Sequence, residues 1–165
     1  MKKIIVSSAV LFLSLAGVVH AAGDAAAGKE KATMFGCGGC HGETGNSMVF
    51  TFPNLAGQGE KYIAKQIADF KGMTTRTDET MGGMAAVLAT EQGALDVGAF
   101  YASQELASTA TFDKTKITKG REIYKGGNLQ TGIPACQGCH SPTGAGNPGA
   151  GYAQLTGQFV EYTIK

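Results

Sequence analysis

The sequence predicts an all-α protein built from two tandem modules of one fold, the second of them incomplete. Three observations lead to this prediction. Apolar residues recur at helical spacing along the first half of the chain, which has no convincing strand pattern. A C-x-x-C-H motif at residues 37–41 returns 99 residues later, at residues 136–140. The residues around the two motifs repeat as well, and such a repeat indicates two copies of one structural unit.

The helices of the first module follow from caps and apolar spacing. A short helix is predicted to begin after Asp24, a favoured N-cap, and to lead into the first motif. Residues 60–71 carry apolar side chains at helical spacing, which predicts an amphipathic helix. We expect a loop over residues 72–83, one or two helical turns over residues 84–88, and a further helix over residues 90–104.

The second half repeats the first and then stops. The corresponding segments are 28–30 and 120–122, 55–58 and 155–158, and Tyr62 and Tyr162. The chain ends at Lys165, which corresponds to Lys65, whereas the first module continues for another 39 residues to Gln104. We therefore expect the sequence to be a fragment truncated at its C-terminus.

The first 21 residues have the pattern of a secretory signal peptide. Lys2 and Lys3 precede an apolar run, and small residues stand before a cleavage point after Ala21. A permanent membrane anchor is the alternative, but the apolar run is shorter than the roughly 20 residues that a spanning helix needs. The predicted organisation is a signal peptide at 1–21, a first domain at 22–105, a linker at 106–116 and a partial second domain at 117–165.

The charges of the chain are nearly balanced once the predicted signal peptide is removed. Without Lys2 and Lys3 it has 12 basic and 13 acidic side chains. Proteins that bind nucleic acid usually present a strongly basic face, so this balance argues against that class of partner. Protein partners are expected instead.

The C-x-x-C-H spacing is typical of covalent haem attachment. Two thiols reach the two vinyl groups of one haem, and the next residue offers an imidazole to the iron. The two motifs use all four cysteines of the chain. We therefore expect two covalently bound haem c groups. The attaching residues are Cys37, Cys40, Cys136 and Cys139, and the ligating histidines are His41 and His140.

Other uses of the cysteines fit less well. A thioredoxin-like disulfide needs a β-α-β setting, and no strand-like run leads into Cys37. A zinc site made of two C-x-x-C pairs usually has a gap of roughly 15–20 residues between them. Ordinary disulfides, in a binding or structural module without haem, leave the histidine after each motif unexplained.

The second axial ligand decides whether a haem iron carries electrons or binds small molecules. The first-module candidates are Met48, Met73, Met81 and Met84. Met48 lies only seven residues after His41, too close for the chain to pass round to the other face. Spacing alone does not separate Met81 from Met84. We favour Met81, since Met84 begins an apolar run that is typical of core packing.

The second module has no methionine, and His140 is its only histidine. Either the sequence is a fragment, or the second iron is open to water and small ligands. A further expectation concerns the proximal side. The carbonyl group of Pro53 is placed to accept the imidazole N–H of His41 and to fix the ring, with Ala153 as the matched position in the second module.

Residues 37–41, 52–59, 76–81 and 134–142 resemble the dihaem class I cytochromes c of the cytochrome c-four type. The resemblance implies two tandem class I cytochrome c domains with histidine and methionine on the iron. By position, the ligands fall on His41 with Met81 and on His140, and the fourth ligand has no counterpart in this sequence. It also implies a place in the bacterial periplasm, free or loosely on the membrane.

The resemblance further implies one-electron transfer from a quinol-oxidising complex towards a terminal oxidase or reductase. We therefore expect an electron carrier of the respiratory chain and not an enzyme. The alternative is the haem subunit of a redox enzyme, such as a dihaem peroxidase or a sulfur-compound dehydrogenase, with an open second iron.

Overall fold

The computed structural model describes residues 22–88, 90–107 and 113–164. The predicted signal peptide, the centre of the predicted linker and Lys165 lie outside these residues. The described residues form eight α-helices and two short 3-10 turns, and their β-pairing is confined to two isolated bridges. The helices are α1 (Ala25–Met34), α2 (Gly38–His41), α3 (Glu60–Gly72), α4 (Glu79–Ala86), α5 (Glu91–Ala102), α6 (Ile117–Gly126), α7 (Gln137–His140) and α8 (Val160–Thr163).

Three helices of the first module begin and end close to where the sequence predicts. The Asp24 carboxylate accepts hydrogen bonds from the backbone N–H groups of Ala26 and Ala27, at 2.8 and 3.1 Å, and so caps α1. α3 covers the predicted amphipathic segment and α5 covers most of the helix predicted over residues 90–104, and the Thr90 hydroxyl group caps α5. These helices are the part of the all-α prediction that apolar spacing supports most directly.

The prediction for residues 72–88 is wrong in its boundaries. α4 begins at Glu79, within the segment that we expected to be a loop, and it includes Met81 and the Gly82-Gly83 pair. The Asp78 carboxylate caps it by accepting the N–H of Met81 at 3.0 Å. Glycine disfavours helices, but the N-cap and the burial of Ala85 outweigh that preference here.

The core of the first module is the place where α1 and α3 cross α5. Its buried residues include Ile63, Ile67 and Phe70 of α3 and Val97, Phe100 and Tyr101 of α5. Glycine permits the close crossings. A Cβ atom at Gly28 of α1 would lie 1.9 Å from the carbonyl oxygen of Asp96, and one at Gly98 would lie 2.6 Å from the carbonyl oxygen of Glu60. Backbone therefore packs on backbone at both crossings.

A buried carboxylate on α5 binds the start of α1 and a lysine within α1. Asp96 accepts hydrogen bonds from the Asp24 N–H at 2.9 Å, from Gln92 at 2.8 Å and from the Lys31 ammonium group at 2.9 Å. Burial alone raises the pKa of Asp96, but these three donors outweigh it and hold the pKa below its usual value. The charged form is therefore the one that stabilises the fold.

Within residues 113–164, the second module has counterparts of α1, α2 and the start of α3 in α6, α7 and α8. The buried hydrophobic core of the described chain lies wholly in the first module. The modules contact each other through two matched loops, residues 53–59 and 153–159, and through Arg76, whose guanidinium group donates to the Tyr162 hydroxyl oxygen at 3.0 Å. In the described part of the chain, every helix is too short or too polar to cross a membrane.

Candidate haem sites

Each C-x-x-C-H motif forms a single helical turn that presents its cysteines and histidine together. Cys37 is the N-cap of α2 and Cys136 is the N-cap of α7. In each motif the first cysteine is half-buried and the second is exposed, and all four thiols are free. No cluster of three or more histidine, cysteine or acidic side chains suited to a metal ion occurs in the described ranges.

His41 is held in the tautomer that an iron ligand requires. Its side chain is buried, and its Nδ1 atom lies 2.9 Å from the carbonyl oxygen of Pro53. A carbonyl oxygen only accepts, so Nδ1 carries the proton and Nε2 keeps its lone pair. Burial lowers the pKa of His41, and the hydrogen bond to Pro53 partly opposes that effect. The neutral imidazole is therefore favoured, and the expected role of Pro53 is confirmed.

The second motif repeats this geometry. Nδ1 of His140 lies 2.8 Å from the carbonyl oxygen of Ala153, so an alanine carbonyl serves as well as the proline carbonyl. An aromatic ring also stands beside each imidazole at matched positions. Phe52 lies 6.5 Å from His41 and Tyr152 lies 6.1 Å from His140, measured between ring centroids. The two proximal sides are therefore copies of one arrangement.

A cavity of about 330 Å³ lies against His41 and Cys37. Its walls include apolar side chains of α3 and α4, among them Ile63, Ile67 and Phe70, and residues of the second module also line it. A flat apolar group attached through Cys37 would meet an available imidazole nitrogen and apolar walls in this cavity. The residues present thus fit a covalently bound haem.

The structure narrows the choice of methionine. Met81 and Met84 both line the cavity, because both lie on α4. Met81 is half-buried and packs against the core, whereas Met84 is 37% exposed. Met48 is 97% exposed, and neither Met48 nor Met73 lines the cavity. The choice of Met81 over Met84 stays a prediction.

Sequence reasoning missed the side chains between the two sites. Gln58 and Gln158 both line the cavity, and each forms hydrogen bonds with the other module. Arg76 contacts Tyr162 and stacks over the ring of Phe70 at 4.5 Å. The repeat with an offset of 100 was the available signal, because it places the two glutamines at matched positions.

Comparisons with known proteins agree with this geometry. The sequence profile of the family described as "Cytochrome c" matches residues 25–112. Cytochrome c4 of Pseudomonas aeruginosa is 45% identical over 165 residues, which is 100% of this chain and 79% of that protein. The crystal structure of reduced recombinant cytochrome c4 from Pseudomonas stutzeri superposes with a TM-score of 0.77 at 41% identity, covering 86% of this chain and 77% of that one.

A more distant relative is the thiosulfate dehydrogenase electron acceptor of Stutzerimonas stutzeri. It is 32% identical over 130 residues, which is 76% of this chain and 58% of that protein. The cytochrome c4 relatives confirm the all-α fold with two class I domains and imply two covalently bound haem c groups. They are electron-transfer proteins and not enzymes. The chain belongs to the cytochrome c family and is a dihaem class I cytochrome of the cytochrome c4 type.

Proposed function

We propose that the protein is a periplasmic one-electron carrier between a quinol-oxidising complex and a terminal oxidase or reductase. The observation that carries the proposal is the pair of proximal histidines, each with Nδ1 bonded to a backbone carbonyl and Nε2 left for iron. The signal-peptide pattern of residues 1–21 supports export. The domain boundaries at 22–105, 106–116 and 117–165 belong to the same proposal.

In this proposal Cys37 and Cys40 attach the first haem, and His41 and Met81 bind its iron. Cys136 and Cys139 attach the second haem, and His140 binds its iron. Haem c supplies a one-electron iron couple when it is bound. The chain orients each imidazole through its carbonyl partner and surrounds the first site with apolar side chains, which keep water away and favour the less charged reduced state.

Paired methionine variants test the distal ligand. We expect Met81→Ala to abolish the near-red absorption band of thioether-ligated ferric haem at the first site. Its reduction potential should fall by on the order of 0.1 V, a modest part of the roughly 0.8 V range set by axial ligands. Met84→Ala is the control, because Met84 lines the same cavity and is more exposed. The reverse result would assign the ligand to Met84.

Spectroscopy of the purified holoprotein tests the carrier role. Two low-spin ferric centres by electron paramagnetic resonance support closed sites that only transfer electrons. A high-spin centre that binds cyanide would instead support the open second iron that the sequence left as an alternative. Mass measurement of the exported protein tests cleavage after Ala21 and gives the number of covalent haems.

A second candidate for the electron donor is a sulfur-compound dehydrogenase. The relative named thiosulfate dehydrogenase electron acceptor favours it. Stopped-flow reduction separates the two donors, with either a purified quinol-oxidising complex or a thiosulfate dehydrogenase supplied with its substrate. Rapid reduction by the quinol-oxidising complex and slow reduction by the thiosulfate dehydrogenase would support the proposed route.

A further inference from the structure

The two modules exchange amide hydrogen bonds in a reciprocal pattern. Gln58 donates from Nε2 to the carbonyl oxygen of Gln154 at 3.0 Å, and its Oε1 accepts the N–H of Gln154 at 2.7 Å. Gln158 donates to the carbonyl oxygen of Asn54 at 3.0 Å, and its Oε1 accepts the N–H of Asn54 at 2.9 Å. Each glutamine thus holds both backbone groups of one residue in the other module.

The N–H group of each pair belongs to the peptide that holds a proximal histidine, and the carbonyl group belongs to the next peptide along the chain. The peptide joining Pro53 to Asn54 accepts from His41 with its carbonyl oxygen and donates to Gln158 with its N–H. The peptide joining Ala153 to Gln154 accepts from His140 and donates to Gln58. One planar peptide unit therefore separates each imidazole from the glutamine of the opposite module.

Burial shields these hydrogen bonds from water. Asn54 is 4% exposed and Gln58 is 5% exposed, so water does not compete freely for their polar groups. The side-chain oxygen of each glutamine also accepts the backbone N–H of the next residue, Gly59 after Gln58 and Phe159 after Gln158, at 3.1 Å in both cases. The amide orientation is therefore fixed in both modules.

Hydrogen bonds in series polarise one another. A peptide whose N–H donates to a fixed oxygen becomes a better acceptor at its carbonyl group. A stronger carbonyl acceptor makes the imidazole a more basic ligand and fixes its ring orientation.

We propose that Gln58 and Gln158 are positioning residues that act across the interface, Gln158 on His41 and Gln58 on His140. The proposal rests on the proposed role of both histidines as iron ligands. Its distinguishing feature is the crossed assignment. Gln58 is the residue that distinguishes the two explanations. Gln58 and Gln158 both line the cavity beside His41, so a glutamine that acted only through packing would affect His41 in either case, whereas the crossed assignment predicts an effect of Gln58 on His140.

The test uses the holoprotein with Gln158→Leu or Gln58→Leu, which removes the amide and keeps an apolar side chain of similar size. Tyr162→Phe is the control, since it removes the hydrogen bond with Arg76 across the same interface and leaves both peptides intact. The readouts are hydrogen exchange at the two peptide N–H groups, the NMR signal of each histidine Nδ1 proton, and the two reduction potentials.

We expect Gln158→Leu to accelerate exchange at the Asn54 N–H by about fivefold, the loss of one hydrogen bond. The same variant should shift the His41 Nδ1 signal and raise the potential of the first haem, because a less basic imidazole stabilises ferric iron less. Gln58→Leu should do the same for Gln154, His140 and the second haem. Tyr162→Phe should leave both histidine signals in place.

The proposal is wrong if Gln58→Leu shifts the signal of His41 and not that of His140, if Gln158→Leu leaves the signal of His41 in place, or if Tyr162→Phe reproduces the shifts. It is also wrong if exchange accelerates while neither histidine signal moves. If a leucine variant fails to mature, Gln158→Asn and Gln58→Asn shorten the amide by one methylene and are expected to give the same crossed pattern. A wild-type spectrum without iron-shifted signals from His41 and His140 would instead refute their role as ligands, which is the proposed function.

Discussion

Replacing Gly28 with alanine tests the backbone contact between α1 and α5. The added Cβ atom would lie 1.9 Å from the carbonyl oxygen of Asp96 and 2.5 Å from its carbonyl carbon. Carbon atoms in contact normally stay about 3.5 Å apart, so the two helices must separate by more than about 1 Å. The obstacle is helical backbone, which does not rotate away as a side chain does.

The expected cost follows from two opposing effects. Overpacking a core costs typically about 1–3 kcal/mol, and a backbone obstacle places Gly28→Ala near the upper end. Alanine regains about 1 kcal/mol through its higher helix propensity. The net loss is then about 2 kcal/mol, or roughly 10 °C in the melting temperature of a module of this size. Urea unfolding of the holoprotein, followed by circular dichroism and haem absorption, measures it.

Gly83→Ala is the control. Gly83 is an exposed residue of α4 in the same module, and apart from its chain neighbours and the backbone of its own helix no described atom lies within 4 Å of the position its Cβ would take. We expect this variant to be neutral or stabilised by up to about 1 kcal/mol. Equal effects of the two substitutions would refute the contact between backbones as the reason for glycine at residue 28.

The remaining predictions concern charge, capping and attachment. Asp96→Asn should destabilise the protein by about 2 kcal/mol at pH 7, because it removes the ion pair with Lys31 and weakens the other bonds. The folded-state pKa of Asp96 is lowered, so its contribution is present above the unfolded value of about 3.9 and is lost as pH falls through the folded pKa. Urea unfolding between pH 3 and pH 7 should therefore show a flatter acid limb in the variant, and an unchanged limb would contradict the argument. Asp78→Ala should cost about 1 kcal/mol in the same assay through the lost cap on Met81, and no loss would show that the cap is dispensable. Replacing Cys136 and Cys139 together with alanine should leave one covalent haem by mass, and two remaining haems would refute the attachment assignment.

The sequence was most informative where one local interaction dominates. The spacing of the two motifs predicted that the cysteines and histidine of each come together, because a single turn of helix places them side by side. Asp24 gave the start of α1 for the same reason, since an N-cap contacts only the next few residues.

Features that depend on tertiary packing were less predictable. The start of α4 was predicted too late. Gly82 and Gly83 give this segment a weak helix propensity, which burial of the helix overrides. Met81 and Met84 share one helix and one cavity, so spacing gives no basis for choosing between them. The pairing of Gln58 with Gln154 joins residues 96 positions apart, and a repeat reveals matched positions without revealing that they meet.

The reciprocal loops at 53–59 and 153–159 also bear on how a two-module protein can arise. Donor and acceptor occupy equivalent positions on both sides, so the contact is isologous, like that between the subunits of a two-fold symmetric dimer. A surface of this kind is complementary to itself. Joining two copies of one ancestral gene would therefore create the interface at once, and the covalent tether would hold it together at a high effective concentration.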